Sequence, residues 1–276
     1  EAAKNVLARD PNLRTSGING MGDWMHINSM SVLGPNKWYE AGDERFHPDN
    51  IISDVRILNT LFIIDRKTGD IVWRIGPDFE ASKELQDIGQ IVGQHHVHMI
   101  PRGLPGEGNI LLFDNGGQAG IGKPTPCCPT GFNNATRSYS RVLEINPVTL
   151  KVEWAFNDET FHFHNGAERA FSNLLFSEYC SSADRLPNGN TLITETIRGR
   201  VIEVTPAGEI VWEFLNPGRA VFRAHRYPYE WFPQVAKPEE RPVTPVKNSR
   251  LRLREDGTPY LIEDDPFFVE PGESIF

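Results

Sequence analysis

One motif recurs along this chain and limits what it can fold into: a strand, a tight turn, and a returning strand with a tryptophan late in it. Thr60-Leu61-Phe62-Ile63-Ile64-Asp65 passes through Arg66-Lys67-Thr68-Gly69-Asp70 into Ile71-Val72-Trp73-Arg74-Ile75-Gly76. Arg141-Val142-Leu143-Glu144-Ile145 passes through Asn146-Pro147-Val148-Thr149-Leu150 into Lys151-Val152-Glu153-Trp154-Ala155-Phe156. Arg200-Val201-Ile202-Glu203-Val204 passes through Thr205-Pro206-Ala207-Gly208 into Glu209-Ile210-Val211-Trp212-Glu213-Phe214. β-Branched and aromatic runs bounded by Asx, Pro and Gly read as hairpins.

A second hairpin type precedes the last two copies: Asn109 to Gly116, and Leu186-Pro187-Asn188-Gly189-Asn190 into Thr191-Leu192-Ile193-Thr194. Four strands per unit, repeated along the chain, predict an all-β fold, a β-propeller of four-stranded blades. The tryptophans stand further apart than the roughly 40–45 residues a bare blade needs, so long loops are inserted between strands. Strong units span residues 24–76, 94–156 and 178–215. A weaker fourth draws on Val221 to Arg226 and Ser249 to Tyr260. The expected organisation is a lead-in over 1–22, blades over 23–262 and a C-terminal arm over 263–276. A second chain, a further segment or a homo-oligomer would complete the ring.

Composition excludes several classes. Of 276 residues 39% are apolar and 24% charged, which argues against disorder across the chain. The net charge of -9 argues against a basic nucleic-acid footprint. No apolar stretch approaches the roughly 18 residues of a spanning helix. Three cysteines allow one bridge, Cys180 with Cys127 or Cys128, and leave one thiol over. Asn134-Ala135-Thr136 fits the N-glycosylation pattern. Neither a Walker loop nor a GxGxxG fingerprint is present.

The histidines are unevenly placed. His95, His96 and His98 share one predicted strand, and His162 and His164 repeat the i,i+2 spacing. His26 and His96 open their units, where a blade's first strand lines the central channel, and His225 is flanked by Arg223 and Arg226. Such a cluster suits acid–base or nucleophilic work, a transition metal held by His96 and His98, or a structural hydrogen-bonded network. Structural Ca²⁺ in a loop rich in Asp is a comparable expectation. Arg141 opens a Trp hairpin, and its guanidinium fork suits a tetrahedral anion. His26, His96, Arg141, His225, His162 and His164 are the catalytic candidates. Trp24, Asn28, His95, Asn115, Tyr139 and Arg223 are the candidates for lining a substrate pocket.

The ordered set Asp23-Trp24-Met25-His26-Ile27-Asn28-Ser29, Thr60 to Gly76, Gln94-His95-His96, Phe113-Asp114-Asn115-Gly116 and Ser140-Arg141 resembles the arylsulfotransferase family. The stretches Leu186 to Ile193 and Val201 to Glu213 resemble it too. The resemblance implies a six-bladed propeller, periplasmic or secreted, that needs no nucleotide donor and no cofactor. It implies transfer of a sulfuryl group from an aryl sulfate ester to a phenol through a sulfated histidine. His26 and His96 match the family's channel histidines, and Arg141 its sulfate-binding arginine. The nucleophile is open among His162, His164 and His225. Two other readings stand beside it: a metal-dependent hydrolase, lyase or oxidoreductase, and a non-catalytic ligand-binding or scaffold propeller.

Overall fold

Short β-branched runs cut by turn residues leave the backbone few options besides extended strands. The computed structural model describes residues 25–117, 137, 139–157, 175–218, 220–237 and 239, together with the backbone of 251–253 and 259–261. Trp24, Cys127, Cys128, Asn134, His162 and His164 lie outside the described residues, as do most of the lead-in and the C-terminal arm.

Each Trp motif is half of a four-stranded antiparallel sheet whose strands follow one another in sequence. The first sheet holds β1 (Met30–Val32), β2 (Ile51–Val55), β3 (Thr60–Ile64) and β4 (Ile71–Ile75). The second holds β5 (His95–Met99), β6 (Ile110–Asp114), β7 (Arg141–Ile145) and β8 (Val152–Phe156). The third holds β9 (Ser182–Arg185), β10 (Thr191–Glu195), β11 (Arg200–Val204) and β12 (Ile210–Leu215). A separate two-stranded ladder pairs β13 (Leu251–Leu253) with β14 (Pro259–Leu261). Two short helices, α1 (Lys37–Glu40) and α2 (Lys83–Ile88), are capped by Asn36 and Ser82.

Side chains close the turns. Asp65 Oδ1 accepts from the amides of Lys67 and Thr68, and Asn146 Oδ1 from those of Val148 and Thr149. These Asx turns hold the backbone reversal that each Trp hairpin needs. Gly69 and Gly208 then take positive φ, 79° and 87°, where a Cβ would be strained.

Strand alternation divides the apolar side chains between two cores. Ile110 and Leu112 face the first sheet, joining Ile63, Trp73 and Ile75 in one cluster. Leu111 and Phe113 face the third, joining Ile193 and Ile202 in another. Fully burying one such side chain contributes about 1.5–3 kcal/mol. The sheets therefore stack in series, with β5 against β1 and β2, and β9 against β5 and β6. An indole spans each junction: Trp73 Nε1 donates to Pro147 O at 2.8 Å, and Trp154 Nε1 to Pro206 O at 2.9 Å.

This corrects the expected fold. The four-stranded units are present, but the described residues form three separate sheets and close no ring, neither of four blades nor of six. Closure would need the outer face of the third sheet to meet that of the first. The segment carrying Val221 and Ala224 lies instead on Leu186, Leu192 and Val201 of the third sheet. On the first sheet Met30, Val32 and Ile71 are exposed. The open sheets bear out neither the propeller nor the periplasmic or secreted location that the family resemblance implied. Among the described residues no helix is long and apolar enough to cross a membrane.

Candidate functional site

A β-bulge sorts the histidines of β5. His95 pairs with Phe113 and His98 with Leu111, so β5 carries one extra residue between them. His96 takes it up with a left-handed φ of 53°. His26, Cys180 and Ser181, near the entries of the first strands of the other two sheets, also have positive φ, at 49°, 57° and 82°. Non-glycine residues adopt this region uncommonly, and it often marks sites where geometry matters more than local ease.

His95 and His96 consequently send their rings into different neighbourhoods. His95 is buried, and both its ring nitrogens are used. Nδ1–H donates to Gly93 O and Asn115 Oδ1, at 2.9 and 2.8 Å, while Nε2 accepts from the Cys180 amide at 3.0 Å. Burial lowers its pKa to about 4, so the ring is neutral at pH 7. Asn115 spends its amide on Ser177 O and Cys180 O. His26 and Arg56 are the charges that reach His95 electrostatically. Asn28 donates to Gln94 O at 2.9 Å, tying the first sheet to the entry of β5. Cys180 is a free thiol whose pKa is raised by burial.

Arg141 also belongs to a closed arrangement. Its Nε donates to Asp114 Oδ2 at 2.8 Å and its Nη2 to the carbonyls of Gly89 and Gln90. Arg137 takes the other carboxylate oxygen at 2.6 Å and lies over the Tyr139 ring at 5.5 Å. Burial pushes the Asp114 carboxyl up, but the two arginines and the Val92 amide outweigh it and hold it below its ordinary range. The same device recurs in the third sheet. Asp114 stands opposite Arg141 in the ladder, Glu195 stands opposite Arg200, and each acid pairs with its arginine. An ion pair repeated at equivalent register is part of the sheet's construction.

On the other side His96, His98, Arg223 and His225 come together, joined by Asp184, which the sequence reading did not single out. The rings of His96 and His98 lie 4.4 Å apart between centroids. His96 Nδ1 accepts from the Ala183 amide at 3.3 Å, which leaves Nε2 to carry the proton. His98 Nδ1 donates to His96 O at 3.0 Å. His225 Nδ1 stands 3.4 Å from Asp184 Oδ2, a close polar contact longer than a well-made hydrogen bond. Burial lowers the pKa of His96 to about 2, helped by His98, Arg223 and His225. Burial likewise lowers that of His98, against its bond to His96 O and the Asp184 charge. Burial raises the Asp184 carboxyl, opposed by His98, His225 and Arg223.

A signal for Asp184 was present in the repeat register. His98-Met99-Ile100-Pro101 and Asp184-Arg185-Leu186-Pro187 occupy the same place in their units, and His225-Arg226-Tyr227-Pro228 continues the series. Three members of the group, His98, Asp184 and His225, thus hold the same place in three successive repeats. Among the described residues no three His, Cys, Asp or Glu side chains are placed to share a metal ion.

The chain belongs to the arylsulfotransferase (ASST) family, whose model matches residues 15–217. That span includes His96, His98 and Asp184 and stops short of Arg223 and His225. No curated protein matches the chain. Among solved structures, a protein of unknown function from Bacteroides caccae is 17% identical with a TM-score of 0.31, over 60% of this chain and 42% of that one. Saccharomyces cerevisiae Sqt1 is 10% identical with a TM-score of 0.34, over 71% of this chain and 51% of that one. The chain thus spans about half the length of these structures or less.

Proposed function

We propose that the His96–His98–Asp184–Arg223–His225 group transfers a sulfuryl group between an aryl sulfate ester and a phenol. The observation that carries this reading is a half-exposed histidine beside a carboxylate that an arginine also reaches electrostatically, in a member of the arylsulfotransferase family. Asp184 at Nδ1 orients the His225 ring and leaves Nε2 as the nucleophile, the logic of any base held by a third group.

The Nε2 lone pair of His225 attacks sulfur. The N–S bond forms as the S–O(aryl) bond breaks, and the phenolate leaves with that electron pair. Arg223 and the Nε2–H of His96 hold the equatorial sulfate oxygens, where charge is concentrated in the transition state. The Asp184 carboxylate balances the positive imidazole. An acceptor phenol then gives its proton to His98 Nε2, and its oxygen attacks sulfur. The S–N pair returns to His225. Arg141, spent on Asp114, plays no part in this scheme.

Incubation with 4-nitrophenyl sulfate, followed by peptide mass spectrometry, tests the proposal. The expected result is one SO₃ adduct on the peptide carrying His225, discharged by added phenol with ping-pong kinetics. An adduct on another histidine, or turnover that survives His225→Ala, overturns the assignment of the nucleophile. A folded chain that neither turns over nor forms an adduct overturns the reaction.

A further inference from the structure

Just past the stretch that the family model matches, the chain turns aromatic. Five of the eleven residues from Phe222 to Phe232 are Phe, Tyr or Trp, against 10% of the whole chain. All five are exposed, from 43% at Tyr229 to 67% at Trp231. Contiguous apolar surface of this kind is uncommon on a folded chain unless something binds it.

The third sheet holds this segment by other groups. Val221 and Ala224 pack on Leu186, Leu192 and Val201, the Ala224 amide donates to Thr194 Oγ1 at 3.1 Å, and Arg226 pairs with Glu203. Arg223, His225 and Tyr227 form a different set. Arg223 reaches His96, His98 and Asp184 electrostatically, His225 touches Asp184, and the Tyr227 ring lies 6.1 Å from the His225 ring. The three stand two residues apart, the spacing that shares one side of an extended backbone. A cation, an imidazole and a phenol therefore follow one another in a row.

A 3₁₀ turn over Tyr229–Trp231 then folds the chain back. The Trp231 amide donates to Pro228 O at 3.1 Å and the Phe232 amide to Tyr229 O at 2.9 Å. This brings the Trp231 ring to 5.2 Å from Tyr227 and sets Phe232 edge-on to Tyr227 at 6.2 Å. Two rings held against each other and still open to solvent are preorganised to take a third.

We propose that Tyr227 and Trp231 form a specificity-determining platform for the aryl group of the sulfate ester, favouring esters with two fused rings over those with one. The proposal rests on the sulfuryl transfer at His225 only for where the sulfur sits. A ring joined to that sulfur comes against Tyr227, and a second ring fused to it continues to Trp231. Arg223, at the other end of the row, meets the sulfate oxygens. The order along the chain copies the order along the ligand: anion, reacting sulfur, first ring, second ring. Both platform residues lie outside the matched residues 15–217, so family membership does not supply them.

Titration calorimetry of the full chain with phenylmethanesulfonate and naphthalen-2-ylmethanesulfonate tests this. A CH₂ group replaces the bridging oxygen in both compounds, so neither can release a phenolate or leave its sulfur on His225. The naphthyl compound should bind about 2–10-fold more tightly. Trp231→Ala, at an exposed position, should bring the two affinities together, and Trp231→Phe should keep most of the difference. The proposal is overturned if the wild-type chain binds both compounds alike or binds neither, or if the preference survives Trp231→Ala. A preference lost in Trp231→Ala, in a chain that forms no sulfated histidine, upholds the platform and removes the transfer. An adduct on His225 without the preference does the reverse.

Discussion

Two adjacent histidines, His95 and His96, open onto two regions built on opposite principles. On the His95 side the acid and the imidazole are both engaged: Asp114 by Arg137 and Arg141, His95 by Gly93, Asn115 and Cys180. On the His96 side His225 and Asp184 are partly exposed, and the one contact between them is long. Charge that is fully paired and buried holds sheets together. Charge held in place but incompletely satisfied is what can meet an anion. The arginine at the head of a hairpin, which sequence alone assigns to the substrate, belongs to the first kind.

Substitutions can break this contrast, and the largest effect is expected at Asp114. Asp114→Ala leaves Arg137 and Arg141 largely buried without a counter-charge, and should cost about 3–5 kcal/mol in urea unfolding. His225→Ala should do the reverse. Turnover of an aryl sulfate should fall by about 10²–10⁴-fold, while unfolding stability moves by no more than about 0.5 kcal/mol for so exposed a residue. If both variants lose stability alike, the division into a structural and a chemical region fails.

Acid titration sharpens the contrast further. The His95 pKa is lowered to about 4 in the folded chain, so between that value and the unfolded histidine range of about 6.5 only the unfolded state binds the proton. Stability from this group is fully present above about pH 6.5 and is lost as pH falls, by up to about 1.4 kcal/mol per pH unit. His95→Gln should flatten that limb in melting curves taken from pH 7 to pH 4. An effect of opposite sign is expected at Asp54. Burial raises it to about 7, against hydrogen bonds from Ser29 and Gln94 and the charge of Arg56. Its contribution is present below the unfolded carboxylate range and declines as pH rises toward 7, opposite in sign to that of His95. Asp54→Asn should therefore steepen the acid limb, and an unchanged slope would show that Asp54 is ionised throughout.

Much of the local structure was legible from sequence, because it depends on nearest neighbours. The Trp hairpins, their Asx turns and the alternating core faces follow from residue type and spacing. Ring closure was not legible, since it depends on whether the outer faces of distant sheets meet, and Met30, Val32 and Ile71 carry no sign of that in their own neighbourhood. The engagement of Arg141 by Asp114 was hidden for a different reason: it needs the ladder register across β6 and β7, over a long insertion. Asp184 lay within reach of repeat alignment, because it takes the place of His98. A carboxylate in the slot of an imidazole escapes a search for histidines.

The extra residue in β5 has a consequence for how this chain tolerates change. Because His96 occupies it with a left-handed backbone, losing a single amino acid between Gly93 and His98 would reset the strand's parity and exchange what each imidazole meets. The buried latch at His95 and the ring beside His98 are thus one codon apart, and insertions or deletions in this short stretch should be harder to accommodate than most point changes within it.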